Sequence, residues 1–144
     1  MLKKISLLLL ISVFTMSAYA QKKDDVVGKW LNSSGEGQVE IFKKGEKYYG
    51  KLVWLKEPND EKGKPKTDAN NPSESLKSKQ LLGLEILKNF SFDGEKWADG
   101  TIYDPKSGKT YSCKMTLKGA NQLSIRGYIG VSLLGRTDVW KRVR

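Results

Sequence analysis

The chain has no histidine and a single cysteine, Cys113, among its 144 residues. The missing histidine removes Ser-His-Asp and Cys-His nucleophile systems, imidazole-bound zinc and the usual general base near neutral pH. One thiol makes no intramolecular disulfide and offers no thiolate metal site. Any catalysis would rest on carboxylates, Lys, Tyr or Arg, and the fold must be stable by burial alone. Proline is scarce too, and three of the four, Pro58, Pro65 and Pro72, fall in one stretch. No segment after residue 20 carries the 3.6-residue apolar period of an amphipathic helix.

The first twenty residues have the layout of an export signal. Lys3 and Lys4 form a basic start, Ile5 to Met16 an apolar run, and Ala18-Tyr19-Ala20 a small-x-small cleavage site before Gln21. The run is short for a membrane anchor, which needs about 20 apolar residues. Export to the periplasm or medium is therefore expected. Cys113 lies far from the cleavage site, so lipid attachment at a new N-terminal cysteine is excluded. Residues 21–144 suffice for one domain. Losing Lys3 and Lys4 lowers the formal charge from +10 to +8, 24 basic against 16 acidic residues.

The clearest element is a hairpin over Lys96–Leu117. In its second arm Tyr111, Cys113, Met115 and Leu117 alternate with Ser112, Lys114, Thr116 and Lys118. That period of two belongs to a strand with one wet face. Asp104-Pro105-Lys106-Ser107-Gly108-Lys109 supplies turn chemistry. Further strands are expected at Val26–Leu31, Gln38–Lys43, Tyr48–Lys56, Leu81–Asn89, Leu123–Tyr128 and Arg136–Val143. Gln21–Asp25 reads as a mobile lead-in. Residues 57–79 form a long charged loop, of a length usually functional or disordered. One short helical turn fits Pro72–Lys77, capped by Asn71 or Ser73.

About eight short strands imply an antiparallel meander closed into a barrel, or a sandwich. Gly28, Gly50, Gly83, Gly100 and Gly127 each fall inside an expected strand. Glycine there often marks a bulge or a barrel corner, which favours the barrel. On the apolar face of its strand, Cys113 reads as a small buried hydrophobe.

Gly28-x-Trp30 near the start, with Arg142 near the end, resembles lipocalin-type (calycin) barrels. That likeness implies a Trp closing the barrel floor under an Arg. A broader likeness covers nearly all of 21–144. Gly50-Lys51-Leu52-Val53-Trp54-Leu55, Asp68-x-Asn70-Asn71-Pro72, Trp97-x-x-Gly100-x-Ile102-Tyr103-Asp104-Pro105, Leu123-x-Ile125-Arg126-Gly127-Tyr128 and Leu134-Gly135-Arg136-Thr137-x-x-Trp140 resemble the bacterial family domain of unknown function 2147. It implies a small exported protein with a lipocalin-like barrel, and no particular activity.

Several groups are candidate sites. Tyr103 and Asp104 either hold the polar end of a ligand at a barrel rim or serve the turn alone. Arg126, Tyr128 and Arg136 suit a carboxylate or phosphate if the two guanidinium groups converge; otherwise they bridge strand ends to Asp104 or Asp138. Asp68, Asn70, Asn71 and Pro72 offer loop oxygens. Their spacing fails the calcium-loop pattern, which leaves Asx turns pinning the loop. Gly28, Trp30, Trp140 and Arg142 are read as structural. The lysines, with signs interspersed, read as a solvated surface, with anionic envelope lipids as a possible contact.

The leading expectation is a monomeric, exported, non-enzymatic barrel binding a small lipophilic or amphipathic molecule, with no cofactor, metal or nucleic acid. An envelope interaction module using the charged loop is the alternative. A carboxylate hydrolase using Asp104 and Asp138 is the last, because no motif supports its geometry.

Overall fold

A computed structural model describes residues 12, 13 and 20–144. The expected signal, 1–20, lies outside the described residues except for Ser12, Val13 and Ala20. Eight strands follow: β1 (Gly28–Leu31), β2 (Gly37–Lys44), β3 (Lys47–Leu55), β4 (Glu85–Phe92), β5 (Trp97–Asp104), β6 (Lys109–Lys118), β7 (Gln122–Tyr128) and β8 (Gly135–Arg142). Each pairs antiparallel with the next, and β8 returns to β1, so the sheet is an all-β closed up-and-down barrel. Helix among the described residues is limited to 3-10 turns at Glu74–Leu76 and Ser132–Leu134. None is long and apolar enough to cross a membrane.

Alternation sets the inner face. Cys113, Met115 and Leu117 of β6 point inward, as do Leu123 and Ile125 of β7. In β4 the alternation breaks. Asn89 has a φ of 64°, and the pairing jumps from Lys88–Thr101 to Ser91–Ala98. This irregularity brings both Leu87 and Phe90 inside. Phe90 fits only because residue 100 is glycine: a Cβ there would lie 2.5 Å from the ring carbons. The expected fourth strand, Leu81–Asn89, is corrected at its start. Leu81–Leu84 forms a turn tied to other segments by Leu81 N to Lys66 O and Gly83 N to Leu52 O. Gly83 therefore lies outside the strands.

Two structural results differ further from the sequence reading. The lead-in is not mobile; it is the floor. Gln21 Nε2 donates to Leu117 O at 2.9 Å, Trp97 Nε1 to Lys23 O at 2.9 Å, and Tyr48 Oη to Asp24 Oδ1 at 2.5 Å. Val26, expected in the first strand, instead sits fully buried in this plug and accepts Trp30 Nε1 at 2.9 Å. The long loop is also folded, with internal bridges at Asn59–Pro65 and Thr67–Gln80.

Arg142 locks floor to wall. Its guanidinium lies 4.3 Å from the Trp30 ring centroid. It donates to Ala120 O at 2.9 Å, Val27 O at 3.0 Å and Asp25 O at 2.6 Å. Gly28, at φ +138°, leaves room for it, since a Cβ there would meet Nη1 at 2.8 Å. The seam itself has only two paired positions, Trp30–Arg142 and Leu31–Lys141. Above the floor Trp30, Tyr48, Phe90, Trp97, Met115 and Leu123 fill the lower barrel solidly.

Replacing Trp30 by Ala should cost about 3–5 kcal/mol, from lost burial and the cavity left behind. Arg142→Ala should cost about 2–4 kcal/mol, because three backbone carbonyls lose a charged donor. In urea unfolding the pair should be coupled by about 0.5–2 kcal/mol; strict additivity would mean the stacking contributes nothing. Burial pushes the Cys113 thiol from 9.0 up to about 12. The folded protein thus keeps a proton that the unfolded chain releases, so stability falls as pH rises. Between those two values the loss should approach about 1.4 kcal/mol per pH unit. Unfolding curves at pH 8 to 11 check this, and Cys113→Ala should flatten the slope.

A cavity at the open end of the barrel

The floor carries the turns β2–β3, β4–β5 and β6–β7. The other end carries the β1–β2 turn, the long β3–β4 loop, the β5–β6 turn and the β7–β8 loop. At that end the barrel is not filled. A cavity of about 570 Å³ opens there, walled by Leu52, Leu55, Leu81, Ile86 and Ile102, with Trp140 among its lining. Leu81 comes from the long loop, as do Lys56, Glu57 and Lys66 on the same wall. The loop thus completes the cavity.

Polar groups gather at the mouth. Lys106 Nζ donates to Glu36 Oε2 at 2.9 Å, joining the β5–β6 turn to the β1–β2 turn. The lysine's hydrogen bond and charge hold the exposed Glu36 carboxyl below its ordinary range, and Glu36 raises Lys106 in return. Tyr111 and Asp138 also line the cavity. Asp138 Oδ2 accepts Trp140 Nε1 at 3.1 Å, which orients the indole.

Tyr103 and Asp104, expected at a rim, do line the cavity. Asp104 is occupied with its own turn: Oδ1 accepts Lys106 N at 3.0 Å, and Oδ2 accepts Ser107 Oγ at 2.9 Å. Tyr103 Oη donates to Asp68 Oδ1 at 2.7 Å. Asp68 is almost fully buried and also accepts Asn71 Nδ2 at 2.8 Å. Burial, then the bond and charge of Asp68, push the Tyr103 phenol up to about 12. Asn70 Nδ2 bridges to the carbonyls of Pro105 and Lys106, both at 3.1 Å. Asn71 and Pro72 line a smaller side cavity of about 250 Å³ with Asp68 and Tyr103. Loop oxygens therefore serve as pins between loop and hairpin. Among the described residues, no three His, Cys, Asp or Glu side chains are grouped to hold a metal ion.

Arg126, Tyr128 and Arg136 do not line the cavity. Arg126 and Tyr128 have outer parity in β7, between the inward Leu123, Ile125 and Gly127. Arg126 Nη1 donates to Thr137 Oγ1 at 2.8 Å on the outside. Arg136, paired with Gly127, is exposed at the rim near the start of β8. The expected convergence of the two guanidinium groups is thus corrected: Arg126 lies on the outer face and Arg136 has the opposite parity. The Glu36–Lys106 pair, Lys66 and Tyr111 were missed. Tyr111 was legible from its inward parity; the ion pair was not, since its partners are separated by 70 positions.

A family model described as "Uncharacterized protein conserved in bacteria (DUF2147)" matches residues 28–142. Comparison with curated proteins gives no match. Among solved structures, the chain is similar to HP1028 of Helicobacter pylori, described as belonging to the lipocalin family. The TM-score is 0.70, with 22% sequence identity and 82% of each chain covered. At that identity the likeness concerns the fold.

Removing the Asp68 carboxylate leaves Tyr103 Oη and Asn71 Nδ2 without their acceptor. Asp68→Ala should lower stability by about 1–3 kcal/mol. It should also make the loop lysines Lys62 and Lys66 cleavable by trypsin well before the barrel unfolds. Simultaneous loss of loop and barrel in a proteolysis time course would show that the loop is not a separate unit.

Proposed function

This chain belongs to the bacterial family DUF2147, and we propose that its barrel holds one small amphipathic molecule with the apolar part innermost. The supporting observation is the division of the barrel: a solid floor below, and above it a cavity of about 570 Å³. That volume falls in the ordinary range for small-molecule sites, which are mostly apolar with a few placed polar groups. The walls match that pattern, with the buried Leu52, Ile86 and Trp140 beside Ile102, and the more exposed Lys66, Lys106 and Glu36. A ligand's chain would displace water from the apolar wall, gaining about 25 cal/mol per Å² buried. Its polar end would meet the lysines at the mouth. A carboxylate or phosphate there competes with Glu36 for Lys106.

The proposal includes export, with cleavage before Gln21, and a monomeric protein. The bond from Gln21 to Leu117 O fits that boundary, since Gln21 is already part of the folded floor. Tyr103, Asp104 and the residues 68–72 act on the ligand through the wall they build. Arg126, Tyr128 and Arg136 have no place in the pocket.

An 11-carbon fatty acid bearing a dansyl fluorophore is a suitable probe. Saturable, one-to-one emission enhancement is expected. Ile102→Trp, which fills the cavity wall, should weaken it about tenfold or more, while Val139→Ser on the outer face should not. Absence of saturable binding across fatty acids and lysophospholipids, or equal binding by the Ile102→Trp protein, would reject this function.

A further inference from the structure

The loop joining β7 to β8 has an unusual surface. Ile129, Val131, Leu133 and Leu134 are 71, 59, 88 and 77% exposed. No other connection in the described chain displays so many large apolar side chains, and isolated exposed ones are ordinary while a cluster is not. The loop stands at the open end, beside the cavity mouth. It carries no charged residue between Tyr128 and Gly135.

The strands that carry it are basic, while the acidic Glu36, Glu57 and Asp104 lie on the other connections of the open end. Residues 21–104 are neutral, with 15 basic and 15 acidic side chains. Residues 105–144 hold nine basic residues and one acidic, Asp138; Lys106, Lys109, Lys114, Arg126 and Arg136 lie toward the open end that carries the loop, and Lys118, Lys141, Arg142 and Arg144 toward the floor. That single carboxylate lines the cavity and accepts the Trp140 indole. The outer wall of β6–β8 therefore presents only cations. Lys114 and Arg126 are directly paired across β6 and β7 on that face, and Arg136, paired with the inward Gly127, is exposed at the rim just below the loop. An apolar projection backed by cations of one sign matches the profile of an anionic bilayer: acyl chains beneath a negative headgroup layer.

We propose that the β7–β8 loop docks the barrel on an anionic membrane, mouth toward the lipid. Leu133, Leu134, Ile129 and Val131 enter the acyl boundary. Lys114, Arg126 and Arg136 meet the headgroups around them. A second copy of the chain fits less well, because two such walls would bring like charges together. The proposal stands on the loop and its charges alone and holds whether or not the cavity carries a ligand.

Sedimentation with vesicles tests it. The protein should bind vesicles containing phosphatidylglycerol and not pure phosphatidylcholine. Binding should weaken as salt rises from 0.05 to 0.5 M, since screening acts on exposed charges. The Leu133→Ser/Leu134→Ser protein should lose about tenfold or more in partitioning. Both side chains are exposed, so its melting temperature should be unchanged. A separate Leu133→Trp protein should show a blue shift of its added emission on binding. No binding to phosphatidylglycerol vesicles would overturn the proposal. So would undiminished binding by the double variant, which would leave charge as the sole cause. Concentration-dependent dimerisation abolished by the same double variant, without vesicle binding, would assign the loop to a second copy instead.

Discussion

The contact of the Arg142 guanidinium with the Trp30 ring holds together parts of the molecule that little else joins. The seam between β1 and β8 has two paired positions, and these two residues are one of them. The same guanidinium reaches the carbonyls of Asp25 and Val27 in the floor segment and of Ala120 in the β6–β7 turn. A short seam with few ladder bonds would open readily if each bond acted alone. Here one planar, always-charged group with its donors in a fixed fork ties three segments at once. Its position over an indole removes part of its hydration and adds a cation–π term. The closed barrel, and with it any enclosed space at the opposite end, depends on that knot.

From this floor the barrel divides into two halves with different tasks. The lower half is packed by Trp30, Trp97, Phe90 and Tyr48 and supplies the stability that a chain without disulfides needs. The upper half gives up that packing and keeps an apolar space. The long loop then stands as part of its wall. Asp68 makes this possible, because its carboxylate is one of few charged groups taken almost wholly out of water. Its bonds to Tyr103 and Asn71 offset that cost only in one arrangement of the loop, so the loop has a defined position.

Much of the architecture was legible in the residues. The unbroken alternation of Tyr111 to Leu117 located β6, and the turn residues located its hairpin. Gly100 in a strand did mark a tight place, the one where Phe90 crosses. What the sequence hid were contacts between distant segments. Gln21, Lys23 and Asp24 look like a solvated tail because their partners, Leu117, Trp97 and Tyr48, lie far along the chain. Leu81–Leu84 has strand-like composition, yet its bonds to Lys66 and Leu52 make it a turn. Arg126 illustrates the opposite failure. The parity that placed Ile125 inside also placed Arg126 outside, and a motif containing both drew attention to the wrong face. Charge was misjudged in a similar way: interspersed signs describe residues 21–104 and not the last three strands.

The floor segment also constrains the order in which the molecule can assemble. Residues 21–27 come early in the chain, yet they need β3, β5 and β6 beneath them and Arg142 beside them. A polypeptide emerging amino end first can pair its consecutive strands early, but it cannot close the floor until Arg142 is available. Such long-range closure makes for slow, all-or-none folding. The seam between the first and last strands is thus the closure that waits for nearly the whole chain.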